Sequence, residues 1–221
     1  MSKNIKKSKN LYTDDNPQYT LKGTGFKDKA TAEKTLKLIK KRCLLYQFQV
    51  INTMYNRAKY HPHKNENMEK AMNIFKKWLD KNKNIKEKMK KEEYKFLKLE
   101  EINYWEKLAE IYNISHVARG IKEASRTDEG FLVVYRKLKG KKGKLCNIPV
   151  KKAKPDGLDW WIQRQNFIKA RLGQIKKSNS NLFNKTGKYK DLPSKQHVVL
   201  IMNGYSPDEK KLKKSKKHFF K

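Results

Sequence analysis

Trp160, Arg164, Phe167 and Arg171 stand three and four residues apart and alternate aromatic ring with guanidinium along a run opened by Asp159. Such a row suits one chemistry: a planar, permanently charged fork pairs with phosphate oxygens while a neighbouring ring offers a stacking surface. The same residues equally suit a helix buried through its Trp and Phe, with the Arg stems lying along the core's edge. A second candidate is LAEIYNISHVARGIKEA, residues 108–124, which has the cadence of a helix-turn-helix. Ala109 sits where helices approach, Asn113 can take the left-handed turn, and Ile114 and Ser115 open a second helix. His116, Arg119, Lys122 and Arg126 would then lie on or just beyond that helix, where base or phosphate contacts arise. Arg119 occupies a position usually held by a branched apolar residue, so an ordinary helical corner competes with this reading. The third candidate is the loop KGKKGKLCNIPVKKAKP, whose Lys141, Lys142, Lys144, Lys151 and Lys152 follow Arg136 and suit phosphate neutralisation.

Catalytic chemistry finds less support. Glu123, Asp128, Glu129, Asp156, Asp159 and Asp191 have no diagnostic spacing for a two-metal centre. Asp128 and Glu129, with Lys137 after them, follow the acid, acid, lysine order of some nucleases, but turn and cap roles explain them as well. His61-Pro62-His63 offers two imidazoles without a third ligand at a recognised interval. GTGFKDK at 23–29 is too short of glycine for a nucleotide loop, and Ser or Cys nucleophile motifs are absent. The sequence therefore assigns no catalytic residue, no metal and no cofactor.

Charge sets the partner class. The 221 residues hold 55 Lys+Arg against 22 Asp+Glu, a formal +33 that repels itself and is relieved by a polyanion. Lysine and asparagine are both frequent, as AT-rich coding favours, which discounts part of that basicity. Hydrophobic residues make up 37% and aromatic residues 11%, enough for a modest core. Cys43 and Cys146 stand alone, without CxxC spacing, so neither a zinc site nor a disulfide framework is expected, and a reducing compartment fits. MSKNIKKSKN lacks an apolar stretch and no window approaches a membrane span, so neither a signal peptide nor a membrane partner is expected.

The elements that must position these residues follow from helical periodicity. Residues 1–27 read as a basic arm and lead-in. Residues 28–83 predict a three-helix bundle: one helix capped by Asp28 or Thr31, one from Leu44 to about Tyr60 ended by Pro62, and one capped by Asn65. Residues 81–93 are nearly all charged and read as a solvated helical linker, with a boundary near 84. Residues 84–207 predict a helical C-terminal domain with room for one short β-hairpin, since FLVVYRKLKG has strand-like branching, though a helix also accommodates it. Asp159 caps the helix that carries Trp161, Ile168, Leu172 and Ile175 on one stripe, and Ser194 caps a last, nearly all-apolar helix. Residues 208–221 read as a second mobile, lysine-rich arm, and KKLKKSKK also suits a nuclear address.

The segments GTGFKDKATAEKTLKLIKK, INTMYNRAKYHPH, MEKAMNIFKKWL, WWIQRQNF and LPSKQHVVLIMNGYSP resemble stretches of small basic proteins of giant (nucleocytoplasmic large) DNA viruses. The resemblance implies a viral setting in host nucleus or cytoplasmic factory, and a place in the virion beside the genome. It transfers no residue roles. The combined expectation is a mainly α protein that binds DNA, or RNA, without strong sequence preference and is not an enzyme. A structural virion protein cementing acidic capsid neighbours is the alternative, and a metal-dependent nuclease the second.

Overall fold

A computed structural model describes residues 21–91, 93–114 and 130–219. They are mainly α-helical, as the periodicities predict. Three helices open the fold: α1 (Lys29–Ile39), α2 (Leu44–Lys59) and α3 (Glu66–Lys81). Asp28 and Asn65 cap α1 and α3, their side-chain oxygens accepting the amides of Thr31 and Met68 at 2.7 and 3.0 Å. α3 packs on both α1 and α2 around Ala32, Ile39, Ile51, Ala71 and Phe75. The charged stretch that follows is not wholly solvated. It forms α4 (Ile85–Lys91), which packs on α2 through a buried Ile85.

The larger core lies beyond. α5 (Leu99–Ile111) packs against α8 (Lys195–Met202), with α6 (Phe131–Lys137), a 3₁₀ helix Lys142–Asn147 and α7 (Trp160–Lys177) closing round them. Trp105, Leu108, Leu132, Leu145, Trp161 and Met202 form its centre. Ser194 caps α8, whose residues from His197 to Met202 are all buried. Among the described residues, four helices end in the same device, a 6→1 backbone bond closed by a left-handed residue. Ile114 donates to Ala109 across Asn113 (φ 55°), Gly140 to Tyr135 across Lys139, Ser180 to Ile175 across Asn179, and Tyr205 to Leu200 across Gly204. Asn113 thus takes the turn predicted for it. At Gly204 (φ 73°) a Cβ would also stand 3.3 Å from the Phe131 ring.

Three expectations are corrected. FLVVYRK is helix rather than strand: Phe131, Leu132, Val134 and Tyr135 are buried at helical, not alternating, spacing, and Phe131 stacks on Tyr135 with centroids 5.3 Å apart. In place of a hairpin, the described residues hold only two isolated antiparallel bridges, Pro149 with Asp159 and Phe183 with Pro193. The C-terminal segment is docked rather than a mobile arm. Asp208 caps α9 (Glu209–Ser215), Leu212 is fully buried, and Phe219 lies 5.6 Å from the Trp105 ring. Sparse apolar residues anchor it, while Lys216 pairs with Glu101 at 2.7 Å.

The third correction concerns the cysteines. Cys43, at the start of α2, is disulfide-bonded to Cys146 in the 3₁₀ helix, with Cα atoms 5.5 Å apart. The two are 103 residues apart, a separation from which no local spacing could foretell a pair. Closing a loop of that length restricts the unfolded chain by roughly 4–5 kcal/mol in the chain-entropy account. It also withdraws the argument for a reducing compartment, which rested on two isolated thiols. No helix among the described residues is long and apolar enough to cross a membrane.

Leu212→Ala should destabilise the protein by about 2–5 kcal/mol, the range for emptying a leucine site in a packed core. Urea unfolding would measure it, and an unchanged midpoint would mean that the C-terminal segment carries no fold energy.

Candidate nucleic-acid interface

Arg42, in the short junction between α1 and α2, points inward and is fully buried. Its Nη1 donates to the Pro155 carbonyl and its Nη2 to the Cys146 carbonyl, both at 2.8 Å, and its guanidinium lies 4.0 Å over the Tyr46 ring. Nε stands 3.5 Å from Asp159 Oδ2. Asp159 does double duty: Oδ1 accepts the Ile162 amide at 2.9 Å as the cap of α7, and Oδ2 accepts the amide of Cys43. Disulfide, guanidinium and carboxylate therefore gather the α1–α2 junction, the 139–155 loop and the start of α7 at one point. Burial pushes the Asp159 carboxyl up to about 6, against the opposing pull of its N–H donors and Arg42.

That clamp fixes the backbone of two segments whose exposed lysines are termed the lysine platform. Lys139, Lys141, Lys142, Lys144, Lys151, Lys152 and Lys154 are exposed, and no acid occurs from 139 to 155. Lys40 and Lys41, also exposed, immediately precede Arg42 and Cys43, which bind Pro155, Cys146 and Asp159. Two basic segments distant in sequence are thereby brought together. Lys142 reaches Glu93 at 2.7 Å. The loop closes through Val150 N–H donating to Leu158 O at 2.9 Å and Trp160 N–H to Ile148 O at 3.1 Å. Lys141, Lys142, Lys144, Lys151 and Lys152 were legible as candidates; Lys40, Lys41 and the clamp were not.

The other candidates separate. Arg164 is 1% exposed, so its assignment to phosphate is withdrawn. Its Nε donates to Asn203 O at 2.8 Å, Nη1 to Tyr94 O at 2.9 Å, and Nη2 to Lys95 O and Gly204 O at 3.3 and 3.0 Å. The guanidinium stacks 3.5 Å over the Phe96 ring, and burial lowers its pKa to about 9, leaving it charged at neutral pH. The physical reason is that α8 ends with carbonyls turned into the core, and only a multidentate cation can satisfy them together. Arg171, half-buried, donates to Gln174 and Gln196 at 3.0 and 3.3 Å. Arg136 binds Glu106 at 2.7 Å and Asn103 at 2.6 Å, which neutralises it. His116, Arg119, Lys122 and Arg126, like Glu123, Asp128, Glu129 and the arm at 1–10, lie outside the described residues.

Two further arrangements bear on catalysis. His197 Nε2 lies 2.9 Å from Ser206 Oγ and Nδ1 lies 3.0 Å from Leu182 O, the outline of a serine and its base. Burial pushes the imidazole down to about 4, which makes it a weak base, and Ser206 also accepts the Asp208 amide at 3.2 Å. The pair ties the loop after α8 to that helix. Among the described residues no group of three or more His, Cys, Asp or Glu side chains is placed to hold a metal. Neither a family model, nor a curated protein, nor a solved structure matches this chain.

Two outcomes test this geometry. Arg164→Lys should cost about 3 kcal/mol or more in urea unfolding, because a single ammonium cannot reach four carbonyls and leaves buried acceptors unpaired. A loss under about 0.5 kcal/mol would mean that those bonds contribute nothing. For Asp159 the folded pKa lies above the ordinary 3.8, so its stabilising contribution is complete below about pH 4 and lost as pH rises through about 6. Asp159→Asn has no such loss. Its stability relative to the unchanged protein should therefore rise between pH 4 and 6, by up to about 1.4 kcal/mol per unit. The opposite slope would mean that Arg42, rather than burial, governs the carboxyl.

Proposed function

We propose that this protein binds nucleic acid, DNA in the first place, with little sequence preference and without catalysis. The observation that carries the reading is the platform of exposed lysines at 40–41 and 139–154, held by buried bonds and free of acidic residues in its own loop. Lysine ammoniums on flexible stems act as point charges that follow a phosphate backbone without reading base edges. Each phosphate neutralised releases condensed counterions, so affinity must fall steeply with salt. The net +33 supports the same class of partner. Arg164, which is buried, and Arg136, which is paired with Glu106, take no part in this proposal; Arg171, partly exposed and bonded only to neutral glutamines, keeps its charge beside them.

The test is binding of full-length protein to labelled duplex DNA between about 50 and 200 mM salt. Replacing Lys144, Lys151, Lys152 and Lys154 by Gln should reduce the slope of log affinity against log salt by about 0.9 for each phosphate that is no longer neutralised. The folding midpoint should hold, because these side chains are exposed. An unaltered slope would move the interface elsewhere, and absence of binding at low salt, with affinity for an acidic protein instead, would replace nucleic acid by a structural partner.

A further inference from the structure

The far end of α2 carries a feature that the lysine platform does not use. Tyr60, at the C-cap, is 72% exposed, well above Ile111 at 47% and Leu158 at 36%, the other exposed large apolar side chains of the described residues. It does not stand alone. His61, Pro62 and His63 follow it in the turn to α3, with the His61 and His63 rings 6.2 Å apart and Phe26 5.9 Å from His61, both edge-on. The Lys59 ammonium lies 5.0 Å over the Tyr60 ring, and His63 and Lys64 are exposed beside it. Glu66 and Glu69 open α3 nearby; Lys64 pairs with Glu69 at 3.0 Å. Aromatic faces at a solvent-exposed turn, with ammonium groups interleaved, are the composition that stacks unpaired bases while holding the adjoining backbone. The partial acidity of this turn suits stacking better than further phosphate neutralisation.

Position adds a second observation. α2 begins at the clamp, one residue after Cys43, and ends at Tyr60, so its 16 residues place the two features about 24 Å apart along one rigid element. Gln49 and Asn52 are exposed on α2 between them, with Asn56 half-buried one turn on, a polar row without acids. A span of ~24 Å corresponds to about seven nucleotide steps at the 3.4 Å rise of a fully stacked strand and to fewer for an extended one, at the lower end of the 4–16 nucleotides typical of a compact single-strand site.

We propose that the turn Tyr60–Lys64 is a base-stacking site for single-stranded nucleic acid whose phosphates run back along α2 to the lysine platform. This rests on the nucleic-acid reading above and sharpens it to a preference for unpaired over duplex strands. Bases of any identity stack, so sequence tolerance is retained.

The experiment compares full-length protein with Tyr60→Ala, Tyr60→Trp and the Lys144/Lys151/Lys152/Lys154→Gln variant. Binding of a labelled 20-nucleotide single strand, and of the same sequence as duplex, is measured at one fixed salt. Tyr60→Ala should weaken single-strand binding roughly tenfold, the scale of one lost base stack, and leave duplex binding within about twofold. Tyr60→Trp should restore it and show quenching of its new indole by the single strand. Fold is not at risk at so exposed a position. Unchanged single-strand affinity in Tyr60→Ala, with loss in the lysine variant, overturns the stacking site and leaves the nucleic-acid reading standing. Equal loss on duplex and single strand also overturns it, since a base-stacking contact requires unpaired bases. Binding of neither strand by the unchanged protein overturns both.

Discussion

The fold depends on taking two guanidinium groups out of water and pairing them mainly with main-chain oxygens. Arg42 holds the carbonyls of Cys146 and Pro155, and Arg164 those of Tyr94, Lys95, Asn203 and Gly204. Each lies over an aromatic ring, Tyr46 or Phe96. These carbonyls belong to loops and helix ends, where no regular ladder exists to occupy them. Removing Arg42 would leave two of these carbonyls without that donor and removing Arg164 four, so each guanidinium ties irregular segments to the core. Asp159 brings a carboxylate into this arrangement at Arg42, and it is already committed as a helix cap.

A division of labour between the two basic residue types follows. In a chain whose positive charge is overwhelmingly lysine, four of the described arginines stand where a planar, many-donor fork is used. Arg42 and Arg164 are buried, Arg136 makes a two-pronged pair with Glu106, and Arg171 bridges two glutamines. The lysines of the 139–154 loop stay on the surface, where a single ammonium on a long stem is readily hydrated. The lysines of 139–154 are therefore left to solvent, and Arg42 beneath them holds the backbone of their loop at Cys146 and Pro155.

Much of the local structure was legible. Caps at Asp28, Asn65, Asp159 and Ser194, the left-handed turn at Asn113 and the buried stripe of α8 each depend on residues within one or two turns of chain. What was not legible depended on partners far away in sequence. The spacing of Trp160, Arg164, Phe167 and Arg171 is the same whether the guanidinium faces phosphate or carbonyl, and only the loops at 94–95 and 203–204 decide. FLVVYRK illustrates the same limit: branched residues favour strand locally, yet Phe131 and Tyr135, one helical turn apart, both pack on Phe96. Lysine loops at 139–154 were recognised by composition, but their meeting with Lys40 and Lys41 required the Cys43–Cys146 bond.

That bond and the two buried arginines address a difficulty the composition itself creates. A chain at +33 gains electrostatic energy by expanding, and a hydrophobic content of 37% gives it a modest core to resist with. Fixed main-chain bonds and a cross-link spanning 103 residues oppose that expansion without adding surface acids that would neutralise the lysines. Holding like charges close together leaves them in an unfavourable field, which a polyanion laid across the platform would relieve by replacing mutual repulsion with attraction. A rigid platform loses little backbone entropy when it is covered, so more of that relief is available as affinity. On the nucleic-acid reading proposed above, the same internal bonds that oppose the expansion of so basic a chain would also hold its surface lysines ready for a strand of phosphates.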